Sequence, residues 1–435
     1  MPPVIARRLC LFFACMLCLV SAPASQESAV APVLIRGGAV FDSLRGVMLP
    51  ARDILVRGDT IAAIERQIPS PKGAVVVDLR AYTLLPGLID AHTHLLLEVE
   101  PYASITPDVV AEGDARRALR GAVHARSYLN SGFTTVRDLG NAGMFADVAL
   151  KRAIHDGHVD GPRMYVSGPG LSAAEGQVEG PADRVKEFAA KEYRIVLDVA
   201  DARTAVRDAV SRGADLIKVY ADQRPKPGAL SPEQLRAIVD EAHQLGVRVA
   251  AHATSDAPAL RAVEAGVDSI EHAYELSDTT LRLIRERGVA VIPTFTDLDT
   301  EVIGPMAHKR APSAPTAPAA QMADLLADYR GRLRRLFDSG ASVVAGSDMY
   351  WNVGLPRGDA AKRVLFVYAQ AGIEPGRILQ AATRNAALLI GEPRLGVIEV
   401  GAFADLIAIE GNPLADFSAI ERVRFVMKNG KIVSR

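Results

Sequence analysis

The chain has 435 residues, 49% of them hydrophobic and 23% charged, with a formal net charge of −1. That length exceeds one ordinary domain of about 150 residues and points to two or three units, or to one α/β barrel with an appendage. No basic excess exists to neutralise phosphates, which excludes a nucleic-acid-binding protein, and the apolar content excludes whole-chain disorder. Cys10, Cys15 and Cys18 are the only cysteines, so a disulfide framework, a zinc finger or a thiol nucleophile in the body of the chain is excluded as well.

In chain order, Arg7-Arg8, an unbroken apolar run over 9–20 and the small residues Ala22-Pro23-Ala24 read as a secretory signal peptide over 1–24, cleaved before Ser25. The apolar run is too short for a bilayer core, which takes about 20 residues. The expected location is therefore exported, periplasmic or secreted, with no stable membrane insertion after cleavage. From 33 to 85 short β-branched runs (33–35, 39–41, 53–56, 60–64, 75–77) alternate with turn signals such as Gly37-Gly38 and Gly58-Asp59. The end of the chain repeats the pattern over 404–409, 423–427 and 432–433, with Asn429-Gly430 as a hairpin turn. The two β segments, 25–86 and 396–435, suit one small β-sandwich domain built from both chain ends.

Between them, over 87–395, eight apolar strands are expected at 88–94, 133–139, 163–168, 214–220, 247–253, 267–273, 289–295 and 341–348. Helical patterns separate most of them. Ser231-Pro232-Glu233-Gln234 opens one helix as N-cap, N1 and N3, and Gly213, Gly246, Gly266, Gly288 and Gly340 close helices just before a strand. Eight βα units over about 300 residues imply an α/β fold of the (β/α)8 TIM-barrel type. A doubly wound sheet is disfavoured because no Gly-x-Gly-x-x-Gly turn follows the first strand. Two long rim loops, 168–180 and 305–320, are candidates for substrate contact or plain insertion.

Polar residues at strand ends carry the chemistry. His92 and His94 close the first strand and, at i and i+2, face one side. Lys218 lies near the end of the fourth, His252, His272 and Asp348 close the fifth, sixth and eighth, and in this fold all six meet at the barrel mouth. Each alone has a plain alternative: a hydrogen-bonded core histidine, an aspartate N-cap, an edge lysine. Six at the same end of five strands outweigh those alternatives, whereas His124, His155, His158, His243 and His308 keep them. Imidazoles with a carboxylate suit zinc or another borderline divalent metal. Protonated Lys218 cannot ligate a cation, but burial lowers a lysine pKa, and reaction with CO2 would give a carbamate able to bridge two metals.

These segments resemble the amidohydrolase superfamily. Pro86-Gly87-Leu88-Ile89-Asp90-Ala91-His92-Thr93-His94, Thr134-Thr135-Val136-Arg137-Asp138, Ile217-Lys218-Val219, Ala251-His252-Ala253, Ile270-Glu271-His272 and Gly346-Ser347-Asp348 are similar to its signatures in order and spacing, as are Ala382-Thr383-Arg384-Asn385 and Gly401-Ala402-Phe403-Ala404-Asp405. The likeness covers about 33–435 and points to the imidazolonepropionase-related branch with metal-dependent prolidases and Xaa-Arg-type dipeptidases. It implies a binuclear site: one metal on His92, His94 and Asp348, a second on His252 and His272, with two divalent ions, zinc expected, bridged by Lys218 carboxylated by CO2. Imidazolonepropionase proper lacks the strand-four lysine, so Lys218 argues against that activity. One departure is the loop Ala173-Ala174-Glu175-Gly176-Gln177, where relatives carry Gly-Gly-His.

The expected function is hydrolysis of a C–N amide bond, of dipeptides or N-acyl amino acids, with Asp348 shuttling the proton. The alternatives are an ester, lactone or cyclic amide hydrolase on the same site, or a non-catalytic binding protein keeping the fold. Tyr220 is a candidate donor to the substrate carbonyl or carboxylate, or a packed ring. Arg137 is a candidate carboxylate binder, or half of a structural ion pair. The partner expected is a small-molecule substrate, and a homo-oligomer is open.

Overall fold

A computed structural model of the chain describes residues 31–100, 112–140, 142–173, 182–222, 229–295 and 319–434. The expected signal segment, 1–24, and most of the two loops expected at the barrel rim, 168–180 and 305–320, lie outside the described residues. No described helix is long and apolar enough to cross a membrane.

The chain ends build two sheets. One pairs Thr60–Glu65, Asp53–Arg57, Val33–Gly37 and Val75–Leu79 in that order; the other runs Lys431–Ser434, Val423–Lys428, Leu406–Ile409, Thr83–Pro86, Val40–Asp42 and Val47–Leu49. Alternating apolar side chains from both sheets share one core, in which Ile35, Ile54, Leu84, Leu406 and Phe425 are fully buried. The second sheet joins sequence that is more than 300 residues apart, because Thr83–Pro86 pairs antiparallel with Leu406–Ile409. Its last hairpin turns on Asn429 and Gly430 at φ 50° and 69°, the left-handed pair that a tight two-residue turn requires.

Between these segments lies an α/β region with parallel sheets. Three strands, Leu88–Thr93, Phe133–Asp138 and Arg163–Val166, pair in parallel, as do Leu216–Tyr220, Arg248–Ala253, Ser269–His272, Ala290–Ile292 and Ser342–Val343 in a seven-stranded sheet. Backbone bonds join the two sets: Asp215 N–H to Val166 O at 2.8 Å, Ala91 N–H to Ala345 O at 3.0 Å and Asp348 N–H to His92 O at 2.8 Å. The eight expected strands are all present, each with fewer ladder residues than its apolar run. The last is shortest, because beyond Val343 the backbone turns towards Asp348, which sits at φ 51°. Four strands escaped the sequence reading: Gly170–Ser172, inside a glycine-rich stretch, Tyr193–Ile195, directly after a helix, and, in the sheets of the chain ends, Val47–Leu49 and Thr83–Pro86.

The helices start and stop as their sequences require. Ser231 Oγ accepts from Gln234 N–H and Gln234 Oε1 accepts from Ser231 N–H, a full capping box on Pro232–Gln244. Such a cap contributes about 1 kcal/mol. Gly213, Gly266 and Gly288 are left-handed C-caps that turn each chain back into a buried strand, and so place the residue at the strand's far end.

Candidate metal centre

His92 and His94 leave the first parallel strand on one side, and both Nε2 atoms point at Asp348 Oδ1, at 3.6 and 3.1 Å. Their other nitrogens fix the tautomer. His92 Nδ1 donates to Glu271 Oε2 at 2.8 Å and His94 Nδ1 donates to the Gly140 carbonyl at 2.8 Å. Neither acceptor carries a proton, so each Nε2 lone pair is turned to the shared point. Asp90 locks the first and last strands together: its Oδ1 accepts the N–H of Ser347 at 2.9 Å and of His92 at 3.1 Å. Gly346 is required beside it, because a Cβ there would lie 2.7 Å from that of His92 and 2.5 Å from Ile292.

His92 Nε2 and Asp348 Oδ1 are buried and, among the described residues, have no hydrogen-bond partner of good geometry. Buried polar atoms of this kind cost about 1–3 kcal/mol each unless something satisfies them, and three ligand atoms of His92, His94 and Asp348 lie within 4.8 Å of one another. The donor set fits a divalent cation. Electrostatics agree. Burial, reinforced by the Lys218 charge, pushes His92 down to about 4, so it is neutral, as a metal ligand must be. Burial also raises the Asp348 carboxyl, but His92, His94 and Lys218 outweigh it and hold the group below its ordinary value. Burial opposes protonation of His94, yet contact with Asp348 raises its pKa, so the pocket draws positive charge.

The remaining predicted residues form the opposite wall. The His272 ring lies 5.0 Å from His92 and 4.4 Å from His252, centre to centre. His272 and the following Ala273 sit at φ 73° and 50°. Left-handed non-glycine residues are uncommon and concentrate at functional sites; here three such residues are at or beside expected ligands. His272 Nδ1 bonds Thr294 Oγ1 at 2.8 Å, and His252 Nε2 meets Asp222 Oδ1 at 2.9 Å. Lys218 is fully buried, and burial, only partly opposed by Glu271 and Asp348, lowers its pKa to about 8. Its Nζ lies 5.5 Å from the Tyr220 ring centre, and that ring packs 5.3 Å from His252 and 5.2 Å from Tyr193. Burial keeps the Tyr220 phenol protonated. The structure thus brings His92, His94 and Asp348 into one cluster and sets His272, His252, Lys218 and Tyr220 beside it.

Arg137 is placed elsewhere. Its Nε donates to Ala91 O, Nη1 to Ser269 Oγ and Nη2 to Glu271 Oε1, at 2.6, 3.1 and 2.6 Å. It also lines a cavity of about 260 Å³ touched by Leu216 and Arg248, the first residues of their strands, at the end away from the histidines. The guanidinium is committed to three interior acceptors, the arrangement that the ion-pair reading calls for. The sequence reading missed Glu271, Asp222 and Thr294 as partners of the histidines. Glu271 had a signal, a charge inside an apolar strand; Asp222 and Thr294 had none, since their partners come from other strands.

The profile of the Amidohydrolase family matches residues 83–433. Ochratoxinase of Aspergillus niger is 31% identical over 382 residues, covering 81% of this chain and 76% of that protein. Imidazolonepropionase of Anaeromyxobacter dehalogenans is 26% identical, covering 89% and 91%. Among solved structures, a prolidase complexed with N-methylphosphonate-L-proline superposes with a TM-score of 0.79 at 29% identity, covering 93% of this chain and 100% of the other.

Proposed function

The chain belongs to the amidohydrolase family, as a hydrolase of amide bonds, and on that premise we propose an exported binuclear enzyme that cleaves dipeptides or N-acyl amino acids. The observation that carries this reading is the buried cluster of His92 Nε2, His94 Nε2 and Asp348 Oδ1, three ligand atoms within 4.8 Å of one another. In this reading the two parallel sheets close into one (β/α)8 barrel over 87–395, the two-ended β unit over 25–86 and 396–435 is a sandwich, and 1–24 is the export signal.

His92, His94 and Asp348 would hold one divalent ion and His252 and His272 a second. Lys218 would bridge them as a carbamate, its amine made available by a pKa near 8. Ions so held lower the pKa of water towards neutrality and polarise a carbonyl. Asp348 takes the proton of the attacking water and delivers it to the leaving nitrogen. Tyr220, protonated and beside His252, donates to the substrate carbonyl or terminal carboxylate. Glu271 and Gly140 keep the two imidazoles turned to the site, and partners of this kind are worth about 10–100-fold in metal affinity.

The test combines metal analysis with a substrate library. Two equivalents of metal and release of amino acid from dipeptides or N-acyl amino acids are expected, with turnover lost to a chelator and restored by zinc. A chain that binds no metal would be a binding protein, and one that releases no amino acid while cleaving esters or lactones would retire the amide reading.

A further inference from the structure

A cavity of about 330 Å³ opens directly from His272, between the loop Ala273–Ser277 and the helix Ala319–Asp338. Its size falls in the range of small-molecule pockets. From the metal side outward, its wall is a chain of rings: His272 to Tyr274 is 5.7 Å between centres, Tyr274 to Tyr329 is 6.2 Å, and Phe295 backs Tyr329 at 4.2 Å. Leu281, Leu333 and Leu336 complete the far side.

Charge decides what such a cavity accepts. Two arginines stand at its rim, but both are engaged. Arg332 donates to Tyr274 O at 2.9 Å and pairs with Asp328 at 2.5 Å and Glu275 at 3.4 Å; Arg335 donates to Leu276 O at 2.6 Å and pairs with Asp278. Asp256 at the other edge accepts the Ser277 N–H at 2.7 Å. The charged residues that line the cavity, Asp256, Glu275, Arg332 and Arg335, balance, and among the described residues no unpaired cation awaits a carboxylate. The arginines instead fasten the 273–277 loop to the helix, which holds the aromatic wall in place.

We propose that this cavity is the subsite for one group flanking the scissile bond, and that it takes an uncharged apolar side chain, aromatic or large aliphatic. The proposal rests on the amide-hydrolase reading for its substrate, but the cavity can be probed without turnover. Leu276 lines the mouth and is only partly buried, so Leu276→Trp fills the entrance at small cost to the core, and Tyr274→Ala widens it. For the parent, either Phe-Ala or Ala-Phe is expected to be cleaved with at least tenfold higher kcat/KM than Ala-Ala. Leu276→Trp is expected to reduce that advantage below threefold while Ala-Ala stays within twofold of the parent. Tyr274→Ala is expected to weaken discrimination without abolishing Ala-Ala cleavage. In parallel, crystals soaked in 4-bromobenzyl alcohol should show bromine in the cavity of the parent and none in Leu276→Trp. An empty cavity in the soaked parent, or equal slowing of all three dipeptides by Leu276→Trp, overturns the proposal. If no dipeptide is cleaved at all, the amide reading fails, and the bromine site still decides the cavity's chemistry.

Discussion

Replacing Arg137 by methionine separates two roles that a strand arginine under an active site can play. The guanidinium makes three interior hydrogen bonds and forms the cationic half of a pair whose other half, Glu271, is fully buried. Removing one partner of such a pair costs about 3–5 kcal/mol, because the other is left as an uncompensated buried charge. An unfolding entropy of about 2.1 cal/mol/K per residue over roughly 400 residues makes this a fall in Tm of about 4–6 °C. Glu271 also accepts from His92 Nδ1, so metal affinity is expected to drop about tenfold. Calorimetry reads the first effect and competition with a chelating dye the second. The substrate readout is the ratio of kcat/KM for a substrate with a free carboxylate to that for its methyl ester, which should not change. In the double variant with Glu271→Gln the loss should be smaller than the sum of the two single losses. An unchanged Tm together with a tenfold collapse of the carboxylate-to-ester ratio would refute this reasoning and return Arg137 to substrate binding.

Asp348→Asn is expected to keep most bound metal and lose 10²–10⁴-fold in kcat, roughly the contribution of a positioned acid–base group; turnover at the parent rate would remove the shuttle. Ser231→Ala, which removes the hydroxyl that accepts from Gln234 N–H and leaves the Ser231 backbone N–H to Gln234 Oε1, should cost about 1 kcal/mol in urea unfolding, with activity retained. Lys362 supplies a pH test away from the candidate metal site. It is buried with one carbonyl partner, Ile420 O at 3.1 Å, and burial lowers its pKa from 10.5 to about 8. Between pH 8 and 10.5 the unfolded chain holds a proton that the folded chain has lost, so this group makes stability rise with pH across that window. Lys362→Met should flatten the rise by up to about 3 kcal/mol and leave the variant no less stable at pH 7; an identical slope in both proteins would show that Lys362 stays charged.

Most of the architecture was legible because it rests on local chemistry. Ser231, Pro232 and Gln234 specify a helix start by side-chain reach alone, and Asn429-Gly430 specifies a hairpin by backbone freedom. His92 and His94 were legible through the two-residue period of a strand, which puts both on one side whatever the rest of the fold does. What stayed hidden depends on residues distant in sequence. Glu271 is tied to His92 across 179 positions and Asp222 to His252 across 30, and nothing local marks either pairing. The left-handed backbone at His272 and Asp348 was equally invisible, since neither residue type demands it and the surrounding strands impose it. Arg137 had two physically sound readings in sequence, and its three interior acceptors, which favour the ion pair, come from segments that no local pattern ties to it.

The pairing of Thr83–Pro86 with Leu406–Ile409 also has a kinetic consequence. A sheet whose inner strands are separated by some 320 positions has a very high contact order, and such pairings form late. During synthesis the early strands can pair among themselves, but Thr83–Pro86 waits for Leu406–Ile409 until the rest of the chain has emerged, and the shared core that buries Leu84 and Ile35 stays incomplete until then. Refolding should therefore be limited by docking of the final strands, and a nascent chain arrested before residue 406 should be the species most prone to aggregate.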